Sequence, residues 1–228
     1  MSDKVFSIAI DGPAGAGKST IAKALARELD AMYLDTGVMY RAIGLALSRN
    51  GLDLSDAASV AAAVGNVDID VRYEDGTQHI YLGDEDVSRA IREPEVSMAA
   101  SAVSAVPEVR ERMVALQRKI AEGQNVVMDG RDIGTKVLPN ATLKVYLTAS
   151  AEERARRRCL ELKEKGMEEP FDKVLQEMIQ RDYQDTHRAA SPLCQAEDAK
   201  LVDTSDLTLE ASVEAIRALA LEAIRARS

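Results

Sequence analysis

Gly12-Pro13-Ala14-Gly15-Ala16-Gly17-Lys18-Ser19 has the residue types and the spacing of a phosphate-binding loop: a glycine, four residues, then Gly-Lys-Ser. Glycines let a backbone curl until several N–H groups point at phosphate oxygens. A helix starting there adds its positive end to the same anion. Lys18 brings a full charge to the β- and γ-phosphates, and the Ser19 hydroxyl suits the magnesium that travels with a nucleoside triphosphate. The flanks agree. Val5 to Ile10 is a short apolar run that reads as a buried strand, and Ile21, Leu25 and Leu29 recur at helical spacing. The expectation is a nucleoside-triphosphate-binding segment over Gly12 to Thr20.

That loop is shared by kinases and by GTP-dependent switches. A switch usually reads guanine through Asn-Lys-x-Asp, which this sequence lacks. Three other polar segments point to a second, phosphorylated ligand. They are Asp35-Thr36-Gly37-Val38-Met39-Tyr40-Arg41, Asp129-Gly130-Arg131-Asp132-Ile133-Gly134-Thr135, and Arg181 to Arg188. Each is read as a βα loop, the place where open α/β sheets bind ligands. Arginine recurs in all three, and its planar fork grips phosphate bidentately. A further run over residues 152–165 is rich in arginine and glutamate. Arg156 and Arg157 have a glutamate four residues away, whereas Arg154 and Arg158 share a face without one; Arg158 has only Glu161 at three. Arg154 and Arg158 are therefore expected to reach the triphosphate, the other reading being a salt-bridged solvent helix.

The elements that must position these groups follow an alternating order. Short apolar runs at 5–10, 31–34, 126–128, 143–147 and 201–202 read as strands. Helical patterns cover 19–29, 39–47, 107–121 and 209–224, and Ser150 with Glu153 reads as a capping box that starts another. This order predicts an α/β fold with a parallel sheet flanked by helices. Residues 67–71 alternate apolar and charged, Asp75-Gly76 follows, and 79–82 is apolar again. That is a hairpin with one wet face, set in a small antiparallel insert.

Bulk properties exclude several classes. The 228 residues carry a net charge of −9, which disfavours a long polyanion, so no nucleic-acid partner is expected. No run of about 18 apolar residues exists, so neither a membrane span nor a leader is expected and the cytoplasm is the default compartment. Cys159 and Cys194 lack metal or redox spacing and read as free thiols. A monomer is expected.

Four segments together are specific: IDGPAGAGKST at 10–20, LDTGVMYR at 34–41, DGRDIGT at 129–135 and RDYQDTHRAASPL at 181–193. Over essentially its whole length the chain resembles the bacterial cytidylate kinases, members of the nucleoside monophosphate kinase group. Val38 is a departure, standing where a smaller residue such as alanine is expected. The resemblance implies transfer of the γ-phosphate of ATP, with Mg2+, to CMP or dCMP. It also implies a P-loop kinase core at 1–35 and 105–228, a monophosphate-binding insert at 36–104 and a helical lid at about 150–185. Lys18, Arg131 and Arg188 would be catalytic. Arg41, Arg131 and Arg188 would hold the acceptor phosphate, and Ser101, Arg110 and Asp132 would read cytosine. Tyr40, Arg181 and Asp185 would contact the sugar, while Thr36 and Asp129 complete the substrate set. Magnesium would sit on Ser19, with Asp35 or Asp129 orienting it through water. Plainer readings compete: Asp35 as a helix cap, Arg110 as a solvated helix residue, Ser101 as packing, and Arg131 paired structurally with Asp132. Another small-molecule P-loop kinase, or a switch without transfer activity, would share the phosphate loop alone.

Overall fold

The computed structural model describes residues 5–227. In chain order its elements are β1 (Ser7–Asp11), α1 (Lys18–Glu28), β2 (Met32–Asp35), α2 (Gly37–Arg49), α3 (Ala57–Val64), β3 (Ile69–Glu74), β4 (Thr77–Leu82), β5 (Glu85–Asp86), α4 (Pro94–Val103), α5 (Pro107–Ala121), β6 (Val126–Gly130), β7 (Leu143–Thr148), α6 (Ala151–Glu164), α7 (Phe171–His187), β8 (Lys200–Asp203) and α8 (Leu209–Arg225). A three-residue 3-10 turn at Ala90–Arg92 and a π-turn at Ile133–Val137 complete them.

Two compact units result. The first runs up to Tyr33 and resumes at Gly123; the second is Leu34–Glu122. In the first, the strand order is β2-β6-β1-β7-β8, with β1 parallel to both β6 and β7 and β8 parallel to β7. Central β1 is buried on both faces, which is why its sequence is a continuous apolar run and not an alternation. Ile8, Ile10, Val127, Val145 and Leu147 meet Ile21 and Leu25 of α1 and Ile216 of α8 in one core. Burying each such side chain contributes about 1.5–3 kcal/mol. Among the described residues no helix is long and apolar enough to cross a membrane.

The α6–α7 pair has its own small core of Ala155, Leu162, Val174 and Met178. Ser150 caps α6 by accepting the Glu153 N–H at 3.2 Å. Glu153 itself turns to Arg156 and Arg157, so only half of the capping box forms through the serine side chain. Residues 181–187 lie on α7, correcting the expectation of a βα loop. Val174, Met178 and Asp185 are its buried residues, and their spacing is that of one helical face.

The second unit contains the expected hairpin. β3 and β4 are antiparallel, paired from Ile69↔Leu82 to Glu74↔Thr77. Asp75 and Gly76 both have positive φ (50° and 73°), the geometry of a two-residue type I′ turn. Short β5 pairs with β4. Helix α5 belongs to this unit, which therefore extends past the expected end at residue 104. Arg112 on α5 donates to the carbonyls of Val64 and Val67, tying that helix to the α3–β3 connection.

Candidate active site

The phosphate loop follows β1 and is shaped by close approaches. A Cβ on Gly12 would lie 1.9 Å from the Leu147 carbonyl oxygen, and one on Gly15 would lie 2.9 Å from the Met178 methyl and 3.3 Å from Arg154 Cβ. Gly12, Gly15 and Gly17 all have positive φ. Gly17 has no side chain with which to cap α1, so the first-turn N–H groups remain for a ligand. Lys18 is buried, and its Nζ donates to the Pro13 carbonyl at 2.7 Å. Burial, with Arg131 next, brings this ammonium down to about 7; Asp129, Asp185 and Asp11 oppose the shift. Thr20 lies on the exposed side of the same first turn.

One strand over, Asp129 is buried near the end of β6 and draws two hydroxyls. Ser19 Oγ donates to Oδ2 at 2.9 Å, and Tyr33 Oη donates to Oδ1 at 2.7 Å. Lys23 Nζ sits 5.5 Å from the Tyr33 ring centroid. Ser19 and Asp129 offer hard oxygen donors side by side, the set magnesium prefers, so the residues fit such an ion. Asp35 is engaged otherwise: its Oδ1 accepts the N–H groups of Gly37 (3.0 Å) and Val38 (3.3 Å), which makes it a cap for α2. Two further residues, Tyr33 and Asp11, have no site role in the sequence reading. The buried Asp11 carboxylate ends β1 and accepts the N–H groups of Ile133 (2.8 Å) and Gly134 (2.7 Å), fixing the turn after β6. Burial raises it to about 6, despite those two bonds. A charged residue closing a fully buried strand was the signal for it.

Arg131 and Asp132 immediately precede that turn. Its π geometry comes from Val137 N–H to Asp132 O (3.2 Å) and Leu138 N–H to Ile133 O (2.7 Å). Asp132 is buried at its start. Arg131 Nε donates to Asp185 Oδ2 at 2.7 Å, so its ion-pair partner is on α7, not the neighbouring Asp132 of the plainer reading. Burial pushes the Asp185 carboxyl up, but Arg131, Arg181 and Arg188 outweigh it and hold it below the ordinary range. Arg188 Nε donates to the Ser191 carbonyl at 2.7 Å. Lys18, Asp129, Arg131, Asp185 and Asp11 thus interact electrostatically as one group.

Arg154 and Arg158 separate. Arg154 is buried and donates to Ala14 O (3.0 Å) in the phosphate loop, to Ala149 O (2.9 Å) and to both Asp182 oxygens (3.1 and 2.6 Å). It touches the phosphate loop, and it has an acidic partner on the neighbouring helix. Arg158 is half-buried and paired with Glu161 at 3.1 Å.

Within the second unit, Arg41 of α2 donates to Ile91 O (2.9 Å) and Ser97 Oγ (2.7 Å). The buried Arg110 of α5 lies 5.4 Å from the Tyr40 ring centroid and reaches Ser104 O at 3.4 Å; it is not the solvated helix residue of the plainer reading. Ser101 is half-buried on α4, where its carbonyl accepts from Ser104 Oγ at 2.9 Å. Thr36 and Val38 are buried at the start of α2.

A five-stranded sheet flanked by helices, with the phosphate loop after its central strand and Arg131 after the neighbouring strand, is the fold of a P-loop kinase core. A gluconokinase from Sinorhizobium meliloti 1021 has the same fold, at TM-score 0.50 and 16% identity over 98% of this chain and 97% of that one. The cytidylate kinase family model matches residues 8–222. Cytidylate kinases from Caldanaerobacter subterraneus subsp. tengcongensis (53% identical; 99% of this chain, 97% of that protein), Caldicellulosiruptor bescii (48%; 97% and 98%) and Enterococcus faecalis (49%; 93% and 94%) are similar over nearly their whole lengths. The chain belongs to the cytidylate kinase family.

Proposed function

We propose that this protein transfers the γ-phosphate of ATP to CMP or dCMP, giving ADP and CDP or dCDP. One observation carries the reading: Lys18 of the phosphate loop, Asp129 at the end of β6, Arg131 just after it and Asp185 of α7 form one electrostatic cluster, in a member of this family. Phosphoryl transfer needs alignment and charge neutralisation more than covalent help. An acceptor phosphate oxygen attacks the γ-phosphorus in line, and the bridging oxygen to the β-phosphate leaves with ADP. The acceptor oxygen is already ionised near neutral pH, so no general base is assigned.

Roles divide by unit. In the core, the loop N–H groups and Lys18 hold the triphosphate, and Arg131 and Arg188 bind the acceptor phosphate. Asp132 accepts from the exocyclic amine of cytosine; uracil offers a carbonyl there and would leave the carboxylate unpaired. Arg181 and Asp185 serve the sugar. In the insert, Arg41 binds acceptor phosphate, Arg110 and Ser101 contact the base, and Tyr40 the sugar. Magnesium, when bound by Ser19 and Asp129, neutralises phosphate charge; the cap formed by Asp35 favours Asp129 for this task. The α6–α7 pair acts as a lid that keeps water from the γ-phosphate, with Arg154 as its phosphate-facing arginine. We further propose a monomer acting in the cytoplasm.

The test is ADP release with ATP and magnesium across CMP, dCMP, UMP, AMP, GMP and shikimate. Rapid turnover restricted to CMP and dCMP is expected. Turnover with shikimate alone, or with no acceptor, would overturn the assignment.

A further inference from the structure

We propose that Gln78 is a positioning residue for the acceptor site, holding the turn from which α2 starts. The inference lies within the second unit and rests on the CMP kinase reading above. Gln78 stands on β4, where it is half-buried opposite Tyr73. Its side chain reaches the backbone of one residue twice. The Asp35 N–H donates to Gln78 Oε1 at 2.8 Å, and Gln78 Nε2 donates to the Asp35 carbonyl at 3.1 Å. An amide that both accepts from and donates to the same residue reproduces the pair of bonds that a neighbouring strand exchanges. β2 is an edge strand and ends at Asp35. Gln78 therefore supplies a strand-like partner at the point where the strand stops and the chain turns.

What is held there matters for the acceptor. The Asp35 side chain accepts the first N–H groups of α2, from Gly37 and Val38, so its backbone and carboxylate together set how the helix begins. The turn has little slack, since a Cβ on Gly37 would come within 3.3 Å of Asp35 Oδ1. Tyr40 and Arg41 lie in the helix just beyond. Arg41 is anchored through its guanidinium to Ile91 O and Ser97 Oγ. The α2 segment that presents them is thus pinned at its start by Gln78 and at Arg41 by those two bonds. At this half-buried hairpin position the two bonds to Asp35 use both ends of the glutamine amide.

Gln78→Ala removes both bonds. Gln78→Glu keeps the acceptor for the Asp35 N–H but sets a carboxylate oxygen against the Asp35 carbonyl. The experiment combines site-resolved amide hydrogen exchange with steady-state kinetics in which CMP and ATP are varied separately. In Gln78→Ala the Asp35, Gly37 and Val38 amides should exchange about tenfold faster, and KM for CMP should rise about five- to thirtyfold in both variants while KM for ATP stays within about twofold. A rise in exchange throughout β3 and β4, with both KM values raised alike, would make Gln78 a hairpin-stability residue and overturn the proposal. So would an unchanged KM for CMP. Failure of the wild-type protein to use CMP would instead defeat the functional reading, while the exchange at Asp35, Gly37 and Val38 would still decide whether Gln78 holds the turn.

Discussion

Replacing Gly12 by alanine puts one methyl group where the fold has no room. Its Cβ would lie 1.9 Å from the Leu147 carbonyl oxygen and 3.0 Å from the carbonyl carbon. Ordinary carbon–oxygen contacts sit at about 3.3–3.6 Å, so the loop and β7 must separate by more than about 1 Å. Neither side yields easily. Leu147 is fully buried, β7 is held by β1 on one side, and Leu147 itself pairs with Val202 of β8 on the other. Holding an alanine at φ 152° adds strain. Strain of about 1–3 kcal/mol and overpacking of about 1–3 kcal/mol sum to about 2–6 kcal/mol. For a chain of this size that lowers the melting temperature by roughly 5–20 °C. Gly51→Ala is the matched control: φ is 73° and nothing lies within 4 Å of its added Cβ, so only the backbone term of about 1–2 kcal/mol applies. Thermal melts of both variants, with titration of a fluorescent ATP analogue, separate the two contributions. Gly12→Ala should melt well below Gly51→Ala and lose nucleotide binding. Equal melting temperatures with retained nucleotide affinity would refute the steric argument.

Other expectations address charge and recognition. Burial and then Arg131 bring Lys18 down to about 7 in the free protein, so a triphosphate arriving at about pH 8 should draw a proton onto Nζ. Calorimetry in buffers of different ionisation enthalpy should show net uptake there, fading toward about pH 6, and its absence would contradict the buried-ammonium picture. Because the unfolded chain keeps this proton up to the ordinary lysine range, the same group makes stability rise with pH above about 7. Tyr33→Phe keeps the ring but removes the bond to Asp129, an interaction with a charged group worth about 1.5–3 kcal/mol. The affinity advantage of ADP with magnesium over ADP in chelator should shrink about tenfold, whereas equal losses under both conditions would count against a role in orienting Asp129. Asp132→Asn should raise kcat/KM for UMP relative to CMP by about ten- to hundredfold, since the amide can donate to the uracil carbonyl; an unchanged ratio removes Asp132 from base reading.

The phosphate loop was readable because its physics is local: glycines, lysine and serine at fixed offsets between a strand and a helix. The hairpin was readable for the same reason, through Asp75-Gly76 between two alternating runs. What escaped were pairings across long separations. Arg154 looked unpartnered because spacing along a helix reveals only neighbours at three and four, while Asp182 is 28 residues away on another helix. For Arg131 the only partner that local sequence offered was adjacent Asp132, as the plainer reading, yet it pairs with Asp185. Residues 181–187 resembled a loop because of their density of charge, although Val174, Met178 and Asp185 keep helical spacing. The extent of the insert was hidden because the bonds of Arg112 to Val64 and Val67 leave no trace in local pattern.

Asp182 and Asp185, less than one turn apart on α7, hold Arg154 and Arg131 respectively. For the phosphate-binding roles proposed above, this helix is a standing set of counterions. A phosphate that arrives competes with a carboxylate already in place, so some intrinsic affinity is forgone. In exchange, a phosphate that departs never strands a desolvated guanidinium, and the return of each arginine to its aspartate helps the product leave. Cutting back these two carboxylates would then tighten the grip on phosphate and slow its release, turning a catalyst toward a binding protein.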